Sequence, residues 1–186
     1  MNQTALIVID IQNDYFPGGK CELEGPLEAA TQARKAMDAF RNKNRPVIHI
    51  RHESIRPGAD FLLPDTPGNE IHELVHPKPG EVVFSKHFPN AFKETPLLSH
   101  LQEAGIQKLV LVGMMTFMCV HATARAASDL GFRCTVLQDA TAARAISFNG
   151  LNVPAAYVQA AFNGALALAY AEIIDTDAYL QRLELG

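Results

Sequence analysis

The chain has 186 residues, of which 48% are apolar and 19% charged, and its formal net charge is -4. That length supports one packed domain with a real core, and the composition excludes an intrinsically disordered chain. The 16 Lys and Arg residues are scattered without a basic stripe, so no nucleic-acid partner is expected.

The first apolar run, ALIVID (5–10), is β-branched and stops at a carboxylate. It reads as a buried parallel strand. It has no basic flank and is too short for a signal peptide or a membrane span, so no membrane partner is expected. Residues 27–44 form a helical pattern, with Leu27, Ala30, Ala33, Met37 and Phe40 near one face. PVIHIR (46–51) is a second strand, with Pro46 tolerated at its start. The Pro- and Gly-rich segment 53–80 is too long for a plain connection and reads as a functional or covering loop. VVFSK (82–86) is the third strand, and a helix is predicted over 95–104. KLVLVG (108–113) is the fourth strand, followed by a helix over 117–130 that Gly131 stops. FRCTVLQ (132–138) is the fifth strand, and 154–171 a long Ala-rich helix entered through Pro154. EIID (172–175) is a short sixth strand before a terminal helix.

This alternation predicts an α/β fold, a three-layer αβα sandwich around a six-stranded, mostly parallel sheet, in one domain spanning residues 1–186. Ligands of such sheets bind beyond the carboxyl ends of the strands, at a topological switch point. Asp10, Lys86 and Cys119 lie at or just past three such ends. An acid, a base and a thiol on one rim make a candidate nucleophilic site.

Thr116 is placed to cap a helix starting at Phe117, which puts Cys119 in the first helical turn. Unpaired N–H groups and the helix dipole there favour a thiolate and can hold an oxyanion. Position alone leaves a second reading open, an inert core cysteine. Asp10 can take a proton from a thiol or cap a turn. Asp14 lies further into the loop and reads as a turn residue. Lys86 can stabilise neighbouring negative charge, or be an ordinary solvated lysine.

Three cysteines, at 21, 119 and 134, form no CxxC pair and no disulfide framework, which predicts a reducing, cytoplasmic setting. Cys134 reads as core and Cys21 as a loop residue. His49, His52, Glu53 and Asp60 cluster in sequence, but no HExxH or Cys/His ligand spacing occurs. His52 and Glu53 read as a loop hydrogen-bond pair, so no metal is expected. No GxGxxG follows the first strand, and no cofactor is expected. Phe16, Phe88 and Phe92 near the rim, with Gln12 in the loop after Asp10, are the predicted substrate contacts. His87 and Tyr15 lie beside them.

Four segments, VIDIQNDYFPGG (8–19), TPGNEIH (66–72), FSKHFPNAF (84–92) and GMMTFMCVHATARAASDLGF (113–132), resemble the isochorismatase-like cysteine hydrolases. The resemblance implies the strand order 3-2-1-4-5-6, which makes strands one and four neighbours. It also implies an Asp-Lys-Cys triad falling on Asp10, Lys86 and Cys119, and a non-proline cis peptide between Met114 and Met115. That bond would aim the Met115 N–H into an oxyanion hole beside the N–H of Cys119. Homo-oligomers are common in the family. Its nicotinamidase branch carries an Asp-x-His metal pair after the second strand, and HIRHESIRPGADF has none. Its true isochorismatases cleave a vinyl ether without needing the cysteine.

The retained Cys119 points to a hydrolase that cleaves a C–N bond of a small amide or N-carbamoyl compound through a thioester. Two alternatives stand beside it. One is a vinyl-ether hydrolase with Asp10 as general acid. The other is a non-catalytic small-molecule-binding or redox-responsive module on the same fold.

Overall fold

The structure, a computed structural model, describes residues 3–185. Six strands form one sheet in which all five neighbouring pairs are parallel. They are β1 (Thr4–Ile9), β2 (Val47–His52), β3 (Val82–Lys86), β4 (Lys108–Met114), β5 (Arg133–Ala142) and β8 (Ala171–Ile174), in the order β3-β2-β1-β4-β5-β8. The sixth strand of the sheet is numbered eight because a hairpin precedes it. β6 (Ile146–Phe148) and β7 (Leu151–Val153) pair antiparallel outside the sheet. The sequence reading above has no such hairpin, although its turn is an Asn149-Gly150 pair. Both residues take positive φ, 54° and 78°, as a two-residue hairpin turn requires.

The helices are α1 (Pro26–Asn42), α2 (Leu97–Glu103), α3 (His121–Asp129), α4 (Ala155–Ala167) and α5 (Thr176–Leu185). β1 is central and buried on both faces, and its side chains alternate between two cores. Leu6 and Val8 join a core with α1 and α5, while Ala5, Ile7 and Ile9 join one with α2, α3 and α4. This is the three-layer arrangement the chain order implies.

α1 starts with Pro26 at its first position, where the missing N–H costs nothing. Its buried stripe is Ala29, Ala30, Ala33, Ala36, Met37 and Phe40, small enough for the helix to lie close on the sheet, whereas Leu27 is exposed. α4 stops at Ala167, earlier than its Ala-rich sequence suggests, since alanine carries no stop signal. Among the described residues, no helix is long and apolar enough to cross a membrane.

One polar network ties α1 to the sheet below the site. Arg41 grips Glu81 with Nε–Oε1 at 2.7 Å and Nη2–Oε2 at 2.8 Å, and His49 Nε2 meets Oε2 at 3.0 Å. Burial alone would raise the Glu81 carboxyl. The hydrogen bonds from Arg41, the Lys78 N–H and His49 outweigh it and bring Glu81 down from 4.5 to about 2. A carboxylate held below its unfolded value stabilises the fold fully above pH ~4.5, and that contribution fades as pH falls toward ~2. Glu81→Gln is therefore expected to lose about 2 kcal/mol at pH 7. Its stability should also change less than that of the wild type between pH 4.5 and 2, as read by urea denaturation.

Candidate active site

The site begins where β1 ends. Asp10 turns the chain in a left-handed conformation, φ 51°, which Asp tolerates better than most residues. Its N–H bonds to the Ile50 carbonyl at 3.0 Å, so its backbone is fixed to β2. β2 and β3 are in register at their carboxyl ends, which sets His52 beside Lys86. Across β1 lies β4, whose Gly113 faces Ile9. A Cβ on Gly113 would stand 1.9 Å from the Ile9 carbonyl oxygen. Only glycine lets β4 approach here, at a bulge in its pairing with β5.

The Met114–Met115 peptide bond is cis. The chain then enters a π-helical turn, Thr116–Val120, before α3. The Met115 carbonyl accepts the N–H of Val120, five residues on. Such turns widen a helix locally and concentrate at functional sites. Thr116 does not act as the predicted cap: it is the first residue of the turn, and its hydroxyl donates to Gln159 Oε1 of α4 at 2.6 Å. Gln159 Nε2 in turn donates to the carbonyls of Gln138 and Thr141. α4 thereby braces the turn that carries Cys119.

The ammonium of Lys86 is the hub. Its Nζ lies 2.6 Å from Asp10 Oδ2, 2.8 Å from His52 Nδ1 and 3.2 Å from Cys119 Sγ. Asp10 and Lys86 are 0% and 1% exposed. The Asp10 contact is a charge contact, since neither carboxylate oxygen has an aligned hydrogen-bond donor. One ligand atom each from Asp10, His52 and Cys119 lie within 4.8 Å of one another, a grouping able to hold a cation. The ammonium of Lys86 already stands within contact of all three.

The charges follow from this packing. Burial works against the Lys86 ammonium, but Asp10 and then Cys119 outweigh it and hold Lys86 above its ordinary value. Burial pushes the Cys119 thiol up, the Asp10 charge adds to it, and Lys86 opposes. Burial therefore works against the thiolate expected from a helix N-terminus, since Cys119 is enclosed by protein. Burial, then the Lys86 charge, lower His52 to about 4. An ammonium only donates, so neutral His52 accepts at Nδ1 and carries its proton on Nε2.

A cavity of about 280 Å³ opens onto Cys119, with Tyr15, His52, Arg56, Phe61 and Met118 in its wall. A larger depression of about 780 Å³, lined by Arg51, His72 and Ser85 among others, reaches none of Asp10, Lys86 and Cys119. The predicted substrate contacts Gln12, Phe16, Phe88 and Phe92 do not line the smaller cavity. Gln12 is fully buried as a clasp: its amide donates to the His52 and Asn69 carbonyls and accepts the His52 N–H at 2.8 Å. Phe16 stacks on His72 at 3.6 Å between centroids, Phe88 lies under Lys93, and Phe92 stacks on Phe132. Asp14 holds the other end of the covering loop, where Oδ2 accepts the Leu62 N–H at 2.6 Å.

Comparison with known proteins shows the family to which this fold belongs. The isochorismatase domain family matches residues 4–178. The chain belongs to the isochorismatase family. This isochorismatase-family protein is 46% identical to Bacillus subtilis YddQ, an uncharacterised family member, over 96% of this chain and 99% of that one. The crystal structure of an isochorismatase from Pseudomonas putida KT2440 superposes with a TM-score of 0.89 at 35% identity, covering 95% of this chain and 89% of that one. N-carbamoylsarcosine amidase from Thermoplasma acidophilum superposes at 0.80 with 26% identity, covering 95% and 98%.

Sequence reasoning missed His52 as a neighbour of Lys86. The available signal was its place at the carboxyl end of β2, the strand beside β1. Gln159 carried no signal, because it reaches the site across 43 residues of chain.

Proposed function

We propose that this isochorismatase-family hydrolase cleaves the C–N bond of a small amide or N-carbamoyl compound through a thioester on Cys119. The observation that carries the reading is the Lys86 ammonium joining the Asp10 carboxylate to the Cys119 sulfur beneath a ligand-sized cavity. The likeness to an amidase for a carbamoyl compound supports it.

When a carbonyl carbon reaches the sulfur, Asp10 takes the thiol proton and the S–C bond forms. The carbonyl electron pair moves onto oxygen, where the N–H groups of Met115 and Cys119 hold it. As the pair returns, the C–N bond breaks and Asp10 delivers its proton to the departing nitrogen. Water then adds to the thioester carbonyl and gives a proton to Asp10. Collapse breaks the S–C bond, releases the acid and returns the proton to sulfur. Lys86 stays protonated throughout and stabilises whichever neighbour is negative. His52, neutral at physiological pH, keeps the ammonium oriented without adding a second positive charge.

Acid-quenched mass spectrometry during turnover of small amides and N-carbamoyl amino acids tests the sequence of bonds. An acyl mass on the peptide containing Cys119, absent from Cys119→Ala, is expected. Turnover that persists in Cys119→Ala without an adduct would overturn the thioester and favour vinyl-ether chemistry, with Asp10 as general acid.

A further inference from the structure

The floor of the cavity over Cys119 is electrically balanced and its wall is not. Below, Asp10 and Lys86 form a buried pair. His52 is neutral above pH about 4. No carboxylate lines the cavity, and Arg56 does. Among the described residues, the Arg56 guanidinium has no salt-bridge partner, whereas the nearby Arg51 is committed to Glu53 at 2.7 Å. An exposed arginine is ordinary in itself. One that lines a small cavity beside a buried thiol, with no acidic partner, sets the sign of that cavity.

Its position is built into the loop. Arg56-Pro57-Gly58-Ala59 forms a turn closed by the Ala59 N–H to the Arg56 carbonyl at 3.1 Å. Pro57 supplies the fixed φ of the second position, and Gly58 takes φ 81° at the third. Both ends of the loop are fastened, by Gln12 at His52 and by Asp14 at Leu62. The Ser54 N–H bonds the Leu62 carbonyl across its neck at 2.9 Å.

We propose that this cavity selects small amides that carry a carboxylate, with Arg56 as the anion-binding group. The inference rests on the reading of Cys119 as the nucleophile for what binds there. A guanidinium meets a carboxylate through two parallel hydrogen bonds, and a cavity of one sign with apolar walls concentrates its field. The His52 Nε2–H is a neutral donor in the same wall and suits the second oxygen or the carbonyl. N-carbamoyl amino acids and half-amides of dicarboxylic acids belong to the selected class. Uncharged amides of equal size do not.

The test needs no known substrate. Iodoacetate and iodoacetamide differ in charge and deliver nearly the same group to a thiol, and peptide mapping assigns the label to Cys119. The ratio of the two rates at Cys119 is expected to exceed that of a free thiol such as glutathione by about tenfold at low salt. It should fall toward the free-thiol ratio in Arg56→Met and recover in part in Arg56→Lys. Added salt should shrink the difference in the wild type and leave Arg56→Met little changed. A wild-type ratio no higher than that of glutathione, or one that Arg56→Met leaves in place, overturns the anion site. A shifted ratio with no acyl adduct during turnover keeps the anion site and rejects the thioester. An adduct formed equally well from charged and uncharged amides does the reverse.

Discussion

Asp10→Asn is expected to slow turnover about a thousandfold while the protein still folds. Asn has nearly the same shape and adopts the left-handed conformation of Asp10 readily, so the turn after β1 survives. What disappears is the proton acceptor. The Cys119 thiol is pushed up by burial, and no other carboxylate lies among the neighbours that shift it. The substitution has a second effect on Lys86. In the wild type, Asp10 and Cys119 hold this lysine above its ordinary value against burial. Its pairing therefore stabilises the fold fully below pH ~10.4, and the contribution is lost only as pH rises through the higher folded value. In Asp10→Asn the main attraction is gone and burial wins, so the lysine falls below its unfolded value. The unfolded chain then binds more protons than the folded one, and stability must rise with pH. A lysine left charged and unpaired in this position costs about 3–5 kcal/mol. Urea denaturation at pH 7 and pH 9, beside kinetics at both, reads the two effects separately. Wild-type turnover in Asp10→Asn would remove Asp10 from the mechanism.

Gly113→Ala is expected to destabilise the protein by about 4 kcal/mol or more, among the largest effects a single methyl can have. The added carbon would stand 1.9 Å from the Ile9 carbonyl oxygen and 2.7–2.8 Å from two further backbone atoms of Ile9. Backbone in the centre of a sheet cannot rotate aside as a side chain does. The φ of 133° is also outside the range that alanine adopts without strain. Relief requires β1 and β4 to separate at the point where one leads into Asp10 and the other toward Cys119, so activity should fall with stability. Gly164 provides the contrast. It sits within α4 with nothing within 4 Å of an added Cβ, and Gly164→Ala should gain about 0.5–1 kcal/mol. Equal denaturation midpoints for the two variants would contradict the steric argument.

The site was legible where it depends on strand order. Asp10 and Lys86 end strands that apolar runs announce, and the thiol follows a third, so a parallel sheet puts all three on one rim; that strands one and four are neighbours is what the family resemblance implied, and β1 and β4 do pair. The site was illegible where it depends on side-chain direction. Gln12 has the residue type of a substrate contact, yet its loop turns it inward to satisfy three backbone groups. Phe16, Phe88 and Phe92 lie close in sequence to the site, but each is taken up by stacking or by Lys93. His52 reads as a partner for its neighbour Glu53, whereas Glu53 bonds Arg51 and Ser85 and the imidazole faces Lys86. The π-helical turn cannot be read from periodicity, because one extra residue in one turn leaves the apolar stripe of α3 unaltered.

The fastening of the covering loop has a consequence for how this protein can change over generations. Its two ends are held by Gln12 and Asp14, and these residues are buried, while Ile55, Arg56, Pro57 and Gly58 between them are exposed. A mutation at the tip alters what the cavity meets first and leaves the anchors of Asp10, Lys86 and Cys119 untouched. Duplicated copies could therefore diverge toward different compounds through a handful of tip residues, inheriting the same reaction machinery unaltered.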